Sequence, residues 1–202
     1  MITIDSLRNA IASQFGKVLT PEVAVEIEKA AIDRADRSLS PDLFGKDKYH
    51  GVVFQVESFR RILPELHILH EAHFGETEKH LQGQVMRPNY DYMAERERVG
   101  SLLQFTARSL DGKLVGNCRM YLTNSTHTGV KVAEEDTLFL LPEARKGLVA
   151  LKFLRYVESC LVEIIGVREI RANSKVVNKA HRLMDFMGYT HFANQYVKIF
   201  KV

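Results

Sequence analysis

Residues 136–158 change their apolar period once, and that change fixes the local topology: a strand, a tight turn and a long helix in immediate succession. Asp136-Thr137-Leu138-Phe139-Leu140-Leu141 is a short apolar run of strand length. Pro142 ends it, because proline has no N–H to give to a sheet ladder. After Arg145 the apolar residues recur at helical spacing, as Ala150, Leu154, Val157, Leu161 and Ile164. The predicted first helical turn carries Arg145, Lys146 and Gly147. Helix N-termini present unpaired N–H groups and a partial positive charge, so this turn suits a phosphate. The same residues also fit an ordinary strand–helix unit with a basic first turn.

Aligned on Pro142-Glu143, the segment Arg145-Lys146-Gly147-Leu148-Val149-Ala150 resembles the acyl-CoA-binding motif of the GNAT N-acyltransferases, Arg/Gln-x-x-Gly-x-Gly/Ala. The arginine, the final alanine and the following helix match, while Leu148 stands where the family has glycine. Downstream, Asn178-Lys179-Ala180-His181-Arg182-Leu183-Met184-Asp185-Phe186-Met187-Gly188-Tyr189 resembles the family segment Asn-x-x-Ala-x-x-Leu-Tyr-x-x-x-Gly-Phe. Ala180, Leu183 and Met187 form one apolar helix face, and Gly188 is a helix stop. Met184 takes the place of the family's tyrosine.

The rest of the chain supplies elements in a compatible order. Residues 5–15 and the Thr20-Pro21-Glu22 start predict two N-terminal helices, since threonine caps, proline suits the first helical position and glutamate suits the positive end. A polar linker is expected up to Lys48. Val52–Val56 reads as a strand, residues 60–80 as a helix and residues 92–98 as a short helix behind a loop with Pro88-Asn89-Tyr90. Asp111-Gly112 between two apolar runs is a tight-turn signal and predicts a hairpin over 101–122. A strand over 168–172 follows the long helix, placed parallel to the 136–141 strand by a right-handed crossover. One or two closing strands are expected after Tyr189. The resemblance implies an α/β GNAT acyl-CoA N-acyltransferase fold, a mixed central sheet flanked by helices. It covers residues 47–202, with 1–46 as an N-terminal helical extension that could serve as a packing piece, a docking arm or a contact between two copies. More narrowly, the chain is similar to GNAT-like proteins of tailed phages and prophages through Leu19-Thr20-Pro21-Glu22, Pro64-Glu65-Leu66 with His70 and His73, Ser125-Thr126-His127 and Gly188-Tyr189.

Composition bounds the function. The 202 residues suffice for one sizeable core, and a net charge of +3 is too small to argue for nucleic acid. No run is long enough to span a membrane, and the first residues lack a signal peptide's basic start, so a cytoplasmic protein is expected, in a bacterial host if phage-derived, with a virion as the other location. Cys118 and Cys160 give no disulfide framework and are expected reduced in the core. His67, His70, His73 and His80 crowd one predicted helix, but His-Glu-x-His is not the metalloprotease spacing, so no metal is expected.

The resemblance implies a reaction: an amine attacks the acetyl thioester of acetyl-CoA within a ternary complex, after a base removes the ammonium proton. It implies backbone contacts to the cofactor at Phe139 and Leu140, and diphosphate contacts at Arg145, Lys146, Gly147, Leu148, Val149 and Ala150, with Asn178 as a further contact. The first helical region borders the acceptor groove in the family, which makes His70, His73 and Glu71 candidate substrate contacts, and the polar loop from residue 83 would overlie that groove, with Tyr90 or Tyr92 lining it. For the base, Glu134 and Asp136 face one side of the strand and Glu135 the other. Asp136 with His127 is the preferred pair, because His127 precedes the strand and imidazole titrates near neutrality. The acceptor, a small-molecule or peptide amine, is not specified by these residues. An inactive, GNAT-like binding or virion-associated structural protein is the alternative that Leu148 and Met184 favour.

Overall fold

A computed structural model of the protein describes residues 4–34, 39–78, 85–175 and 180–198. Helices α1 (Ile4–Ala12) and α2 (Pro21–Arg34) pack on one another with Ala10 and Ala31 buried. Next come β1 (Asp47–Tyr49), β2 (Val52–Val56), α3 (Phe59–Thr77), α4 (Tyr90–Arg98), β3 (Leu102–Ser109), β4 (Leu114–Asn124), β5 (Lys131–Leu140), α5 (Val149–Ser159), β6 (Glu169–Arg171) and α6 (His181–Phe186). Among the described residues one sheet has the order β1-β2-β3-β4-β5-β6, antiparallel throughout except for the parallel β5–β6 pair.

The sheet separates two layers. On one face Phe54, Phe105, Met120, Phe153, Val157 and Leu161 form an apolar core against α5; of the stripe expected from the sequence, Val157 and Leu161 join it and Ala150 packs partly buried against it, while Ile164, at the end of the π-helical turn Cys160–Ile164, is exposed. On the other, Phe59, Ile62, Leu66 and Leu69 of α3 pack over Leu102, Leu114 and Phe139. Both cysteines are buried and free.

Several expectations are corrected. The segment read as a linker joins the main core: Phe44 is buried edge-on against Phe105, and the Tyr156 hydroxyl donates to the Gly45 carbonyl at 2.7 Å. The β1–β2 hairpin went unread because its turn uses His50 at φ 46° before Gly51, and histidine seldom marks a left-handed turn. The helix expected from Arg145 starts at Val149, since Gly147 takes a left-handed conformation (φ 57°) that stops the helix from extending backwards. Of the closing strands expected after Tyr189, residues 199–202 lie outside the described residues and residues 189–198 form no strand; Phe192, Tyr196 and Val197 are exposed, so the apolar pattern there was not a mark of burial.

Candidate functional site

The site starts from one extra residue in β5. Opposite β4, Arg119 pairs with Thr137 and Met120 with Glu135, which leaves Asp136 as a bulge. The consequence follows from strand alternation. Ahead of the bulge the odd residues bond away from β4: the Lys131 carbonyl accepts Arg168 N–H at 2.9 Å, and the Glu135 carbonyl accepts Asn173 Nδ2 at 3.3 Å. Beyond it the parity is reversed. Leu141 N–H bonds Val115 on β4 at 2.8 Å, while the Leu140 carbonyl turns away and accepts Arg145 Nε at 2.7 Å. Leu138 and Leu140 therefore present their amides to the side of β5 that faces away from β4. β6 pairs with Val132, Ala133 and Glu134, and among the described residues no strand pairs with the second half of β5 on that side, which is open there. Phe139, by contrast, directs its backbone at β4 and its buried ring at α3, between His73 (centroids 5.2 Å apart) and the Arg145 guanidinium (5.1 Å).

The open side leads to the turn before α5. Arg145, Lys146, Gly147 and Leu148 are exposed, and Leu148 at the N-cap makes no side-chain cap bond. Val149 N–H reaches Lys146 O at 3.3 Å and Lys152 N–H reaches Leu148 O at 2.9 Å. The amides of Gly147, Leu148, Ala150 and Leu151 have no acceptor among the described residues. Nothing lies within 4 Å of where a Gly147 Cβ would sit. Free amides, a helix N-terminus and an unobstructed glycine fit an anionic diphosphate. The Leu148 side chain points outward, 51% exposed. Arg145 is engaged elsewhere: its Nη2 bonds Glu76 Oε2 on α3 at 2.7 Å. Asn178, the remaining predicted cofactor contact, lies outside the described residues, as does His80.

On the α3 face the bulge aims Asp136 at a polar cluster that sequence reading missed. Arg119, buried on β4, gives Nε to Asp136 Oδ2 (2.8 Å) and Nη2 to Thr137 Oγ1 (3.1 Å), and its Nη1 lies 3.5 Å from His70 Nε2. A lone arginine within Leu114–Leu122 was the available signal, because a buried guanidinium demands partners. The Tyr90 hydroxyl sits 3.0 Å from His67 Nδ1 and 3.1 Å from His70 Nδ1. It has one proton, so it donates to one ring and accepts from the other. Burial, aided by the Arg119 charge, pushes His70 down to about 4, so it is neutral. Burial also lowers His73. Glu71 is exposed and pairs with His67 at 3.3 Å. Tyr121 and Tyr92 (centroids 6.3 Å apart) extend the cluster, and burial followed by the Asp136 charge raises the Tyr121 phenol.

The remaining candidates are dispersed. His127 is exposed in the β4–β5 turn, its N–H held by Ser125 Oγ at 3.3 Å. It lies beyond the start of β5, roughly 16 Å or more along the strand from Asp136, so the predicted pair is not assembled. Glu134 pairs with Arg171 of β6 at 2.8 Å. Glu135, on the opposite face, is buried and accepts Asn173 N–H at 2.9 Å; burial pushes its carboxyl up to about 7 against that bond. Cys118 lies beside it, its thiol raised far above the usual range by burial, hence protonated. Met184 is buried, and the Tyr189 phenol is raised by burial and by its hydrogen bond to Glu158. Among the described residues no group of three or more His, Cys, Asp or Glu could hold a metal ion, and no helix is long and apolar enough to cross a membrane.

No family model and no curated protein matches this sequence. Solved structures do. A ribosomal-protein-alanine N-acetyltransferase from Brucella melitensis biovar Abortus 2308 superposes with a TM-score of 0.58 at 19% identity, over 74% of this chain and 99% of that one. The chain has the GNAT acyltransferase fold. An aminoglycoside acetyltransferase from an uncultured soil metagenomic sample, in complex with sisomicin, gives 0.57 at 14% identity over 75% and 96%. AAC(6')-Iy in complex with the bisubstrate analogue CoA-S-monomethyl-acetylneamine gives 0.53 at 17% identity over 75% and 99%.

Proposed function

We propose that the protein is a GNAT-type N-acetyltransferase that moves an acetyl group from acetyl-CoA to a primary amine by direct attack in a ternary complex. The observation that carries this reading is the bulge at Asp136, which turns the Leu138 and Leu140 amides to the open side of β5 beyond the last β6 pair. There they can bond a pantetheine arm and a thioester carbonyl, aiding the charge that develops on its oxygen. Acetyl-CoA supplies the activated acyl group. The free amides of Gly147, Leu148, Ala150 and Leu151 receive its diphosphate. Asp136, with one oxygen held by Arg119 and its side chain 37% exposed, faces the acceptor side and takes the ammonium proton. Tyr90, His70, His73 and Tyr121 line the acceptor groove. Met184 cannot donate a proton, so the departing thiolate takes one from solvent. The acceptor is a small-molecule or peptide amine met in the cytoplasm.

Calorimetric titration with acetyl-CoA is the test: saturable binding and a raised melting temperature are expected, and no response at millimolar ligand removes the transferase reading. The second reading is a GNAT-fold binding or structural protein, virion-associated and of phage or prophage origin. Leu148 at the motif glycine and buried Met184 at the motif tyrosine favour it. It predicts no acetyl transfer to any amine.

A further inference from the structure

The last turn of α3 carries Glu76, and the residue that caps it is Glu78. A carboxylate at a helix C-terminus opposes the helix dipole, so α3 gains nothing from either one alone. Each is matched by a cation on a different lip of the open side. Glu76 pairs at 2.7 Å with Arg145, which follows β5, and Glu78 pairs at 3.0 Å with Lys175, which follows β6. The end of α3 thus reaches across the region where the proposed function puts the cofactor. Arg145 is fixed at one end by the Leu140 carbonyl, and the ion pair with Glu76 takes up its Nη2. That pair is open to solvent, the side chains being 38% and 35% exposed, so it is weak. A diphosphate at the adjacent free amides carries more negative charge than one carboxylate and would sit against a helix N-terminus that already favours anions.

We propose that Glu76 is a positioning residue that holds Arg145 away from the cofactor loop, and that an incoming diphosphate takes the arginine from it. This rests on the transferase reading and adds a coupling: filling the cofactor loop releases one of the two ion pairs that, among the described residues, the end of the acceptor-side helix makes across the open side. Glu78–Lys175 and the buried Phe59, Ile62, Leu66 and Leu69 keep α3 in place after that release.

The experiment is a calorimetric double-mutant cycle with acetyl-CoA, using the wild type, Glu76→Gln, Arg145→Ala and the double variant, each checked for an intact thermal transition. Freeing Arg145 from an exposed ion pair is expected to tighten binding in Glu76→Gln about two- to fivefold. Arg145→Ala weakens binding, and Glu76→Gln has no effect once Arg145 is gone. Inorganic pyrophosphate, used as a competitor, should show the same dependence on Glu76. An unchanged or weakened Kd in Glu76→Gln, or an effect that survives the loss of Arg145, overturns the inference and leaves the transferase reading standing. Binding by none of the four proteins removes both.

Discussion

Glu135 and Asp136 are chain neighbours with opposite surroundings, and the difference sets what each can do. Asp136 is half-exposed, with a guanidinium and a hydroxyl on one oxygen. Glu135 is buried beside Cys118, with one backbone N–H on its carboxylate. Its folded pKa, raised to about 7, makes a stability prediction whose sign is fixed. The unfolded carboxyl loses its proton near the ordinary glutamate value, whereas the folded one keeps it to about 7. The group's stabilisation is therefore complete below the unfolded pKa and is lost as pH rises through 7. Glu135→Gln imitates the protonated form at every pH and still offers an oxygen to Asn173 N–H. Its melting temperature should match the wild type near pH 4 and exceed it at pH 8.5, by up to about 3 kcal/mol in stability. Parallel pH profiles for the two proteins would show that the burial of this carboxyl does not govern its proton. If Asp136 takes the ammonium proton as proposed, Asp136→Asn lowers acetyl transfer by about 10²–10⁴; it also removes the carboxylate that pairs with the buried Arg119, so an intact thermal transition and an unchanged acetyl-CoA affinity are the controls.

At the scale of elements, α3 depends on a cap supplied by α4. Ser58 occupies the N-cap of α3 without a side-chain cap bond. Glu97, near the end of α4, accepts Phe59 N–H at 2.6 Å and Arg60 N–H at 3.4 Å, and the Ser58 hydroxyl at 3.4 Å. A carboxylate there also opposes the positive end of the α3 dipole. Glu97→Ala should cost about 1–2 kcal/mol, or roughly 3–6 °C in melting temperature for a chain of this size, while Glu97→Gln retains most of it. Chemical denaturation of the two variants distinguishes cap loss from mere charge removal. No local pattern in the sequence announces a cap that comes from 38 residues away. The same limit explains what was legible in the site. The Asp111-Gly112 hairpin and the strand–turn–helix over 136–158 were readable, because turn chemistry and apolar period are local signals. The bulge was not: three acidic residues in a row, Glu134-Glu135-Asp136, do not say which of them is extra, and an extra residue appears only against a partner strand. With the bulge hidden, the Arg119 link to Asp136 was hidden too. Nearness in sequence recommended His127 instead, which the β4–β5 turn holds at the far end of the strand.

For the whole molecule, the sheet is a partition between the apolar layer under α5 and the α3 layer with its polar cluster, and the first extends further toward the N-terminus than polarity suggests. Residues 39–48 are rich in charge and turn formers, yet Leu39 packs on the α5-side core and Phe44 is buried within it. Ser40 caps the short 3-10 turn Pro41–Leu43, accepting Asp42 N–H at 3.3 Å, and that turn delivers Phe44 to Phe105. One aromatic residue in a polar stretch lacks the repetition from which burial is read, so the segment passed for a linker. The extension and the GNAT-like domain therefore meet, in the division we propose, ahead of Leu39 rather than at residue 46. A chain of residues 39–202 should unfold cooperatively with stability near that of the full protein. A chain of residues 47–202 loses the Phe44 ring and the Tyr156–Gly45 bond together and should be weaker by about 3–5 kcal/mol, the range for deleting a buried phenylalanine. Phe44→Ala in the full chain serves as the internal standard. If it unfolds with the wild type while 47–202 does not fold, the polar residues of the segment hold the core rather than its one aromatic ring. If both truncated chains match the full protein, the core begins at β1.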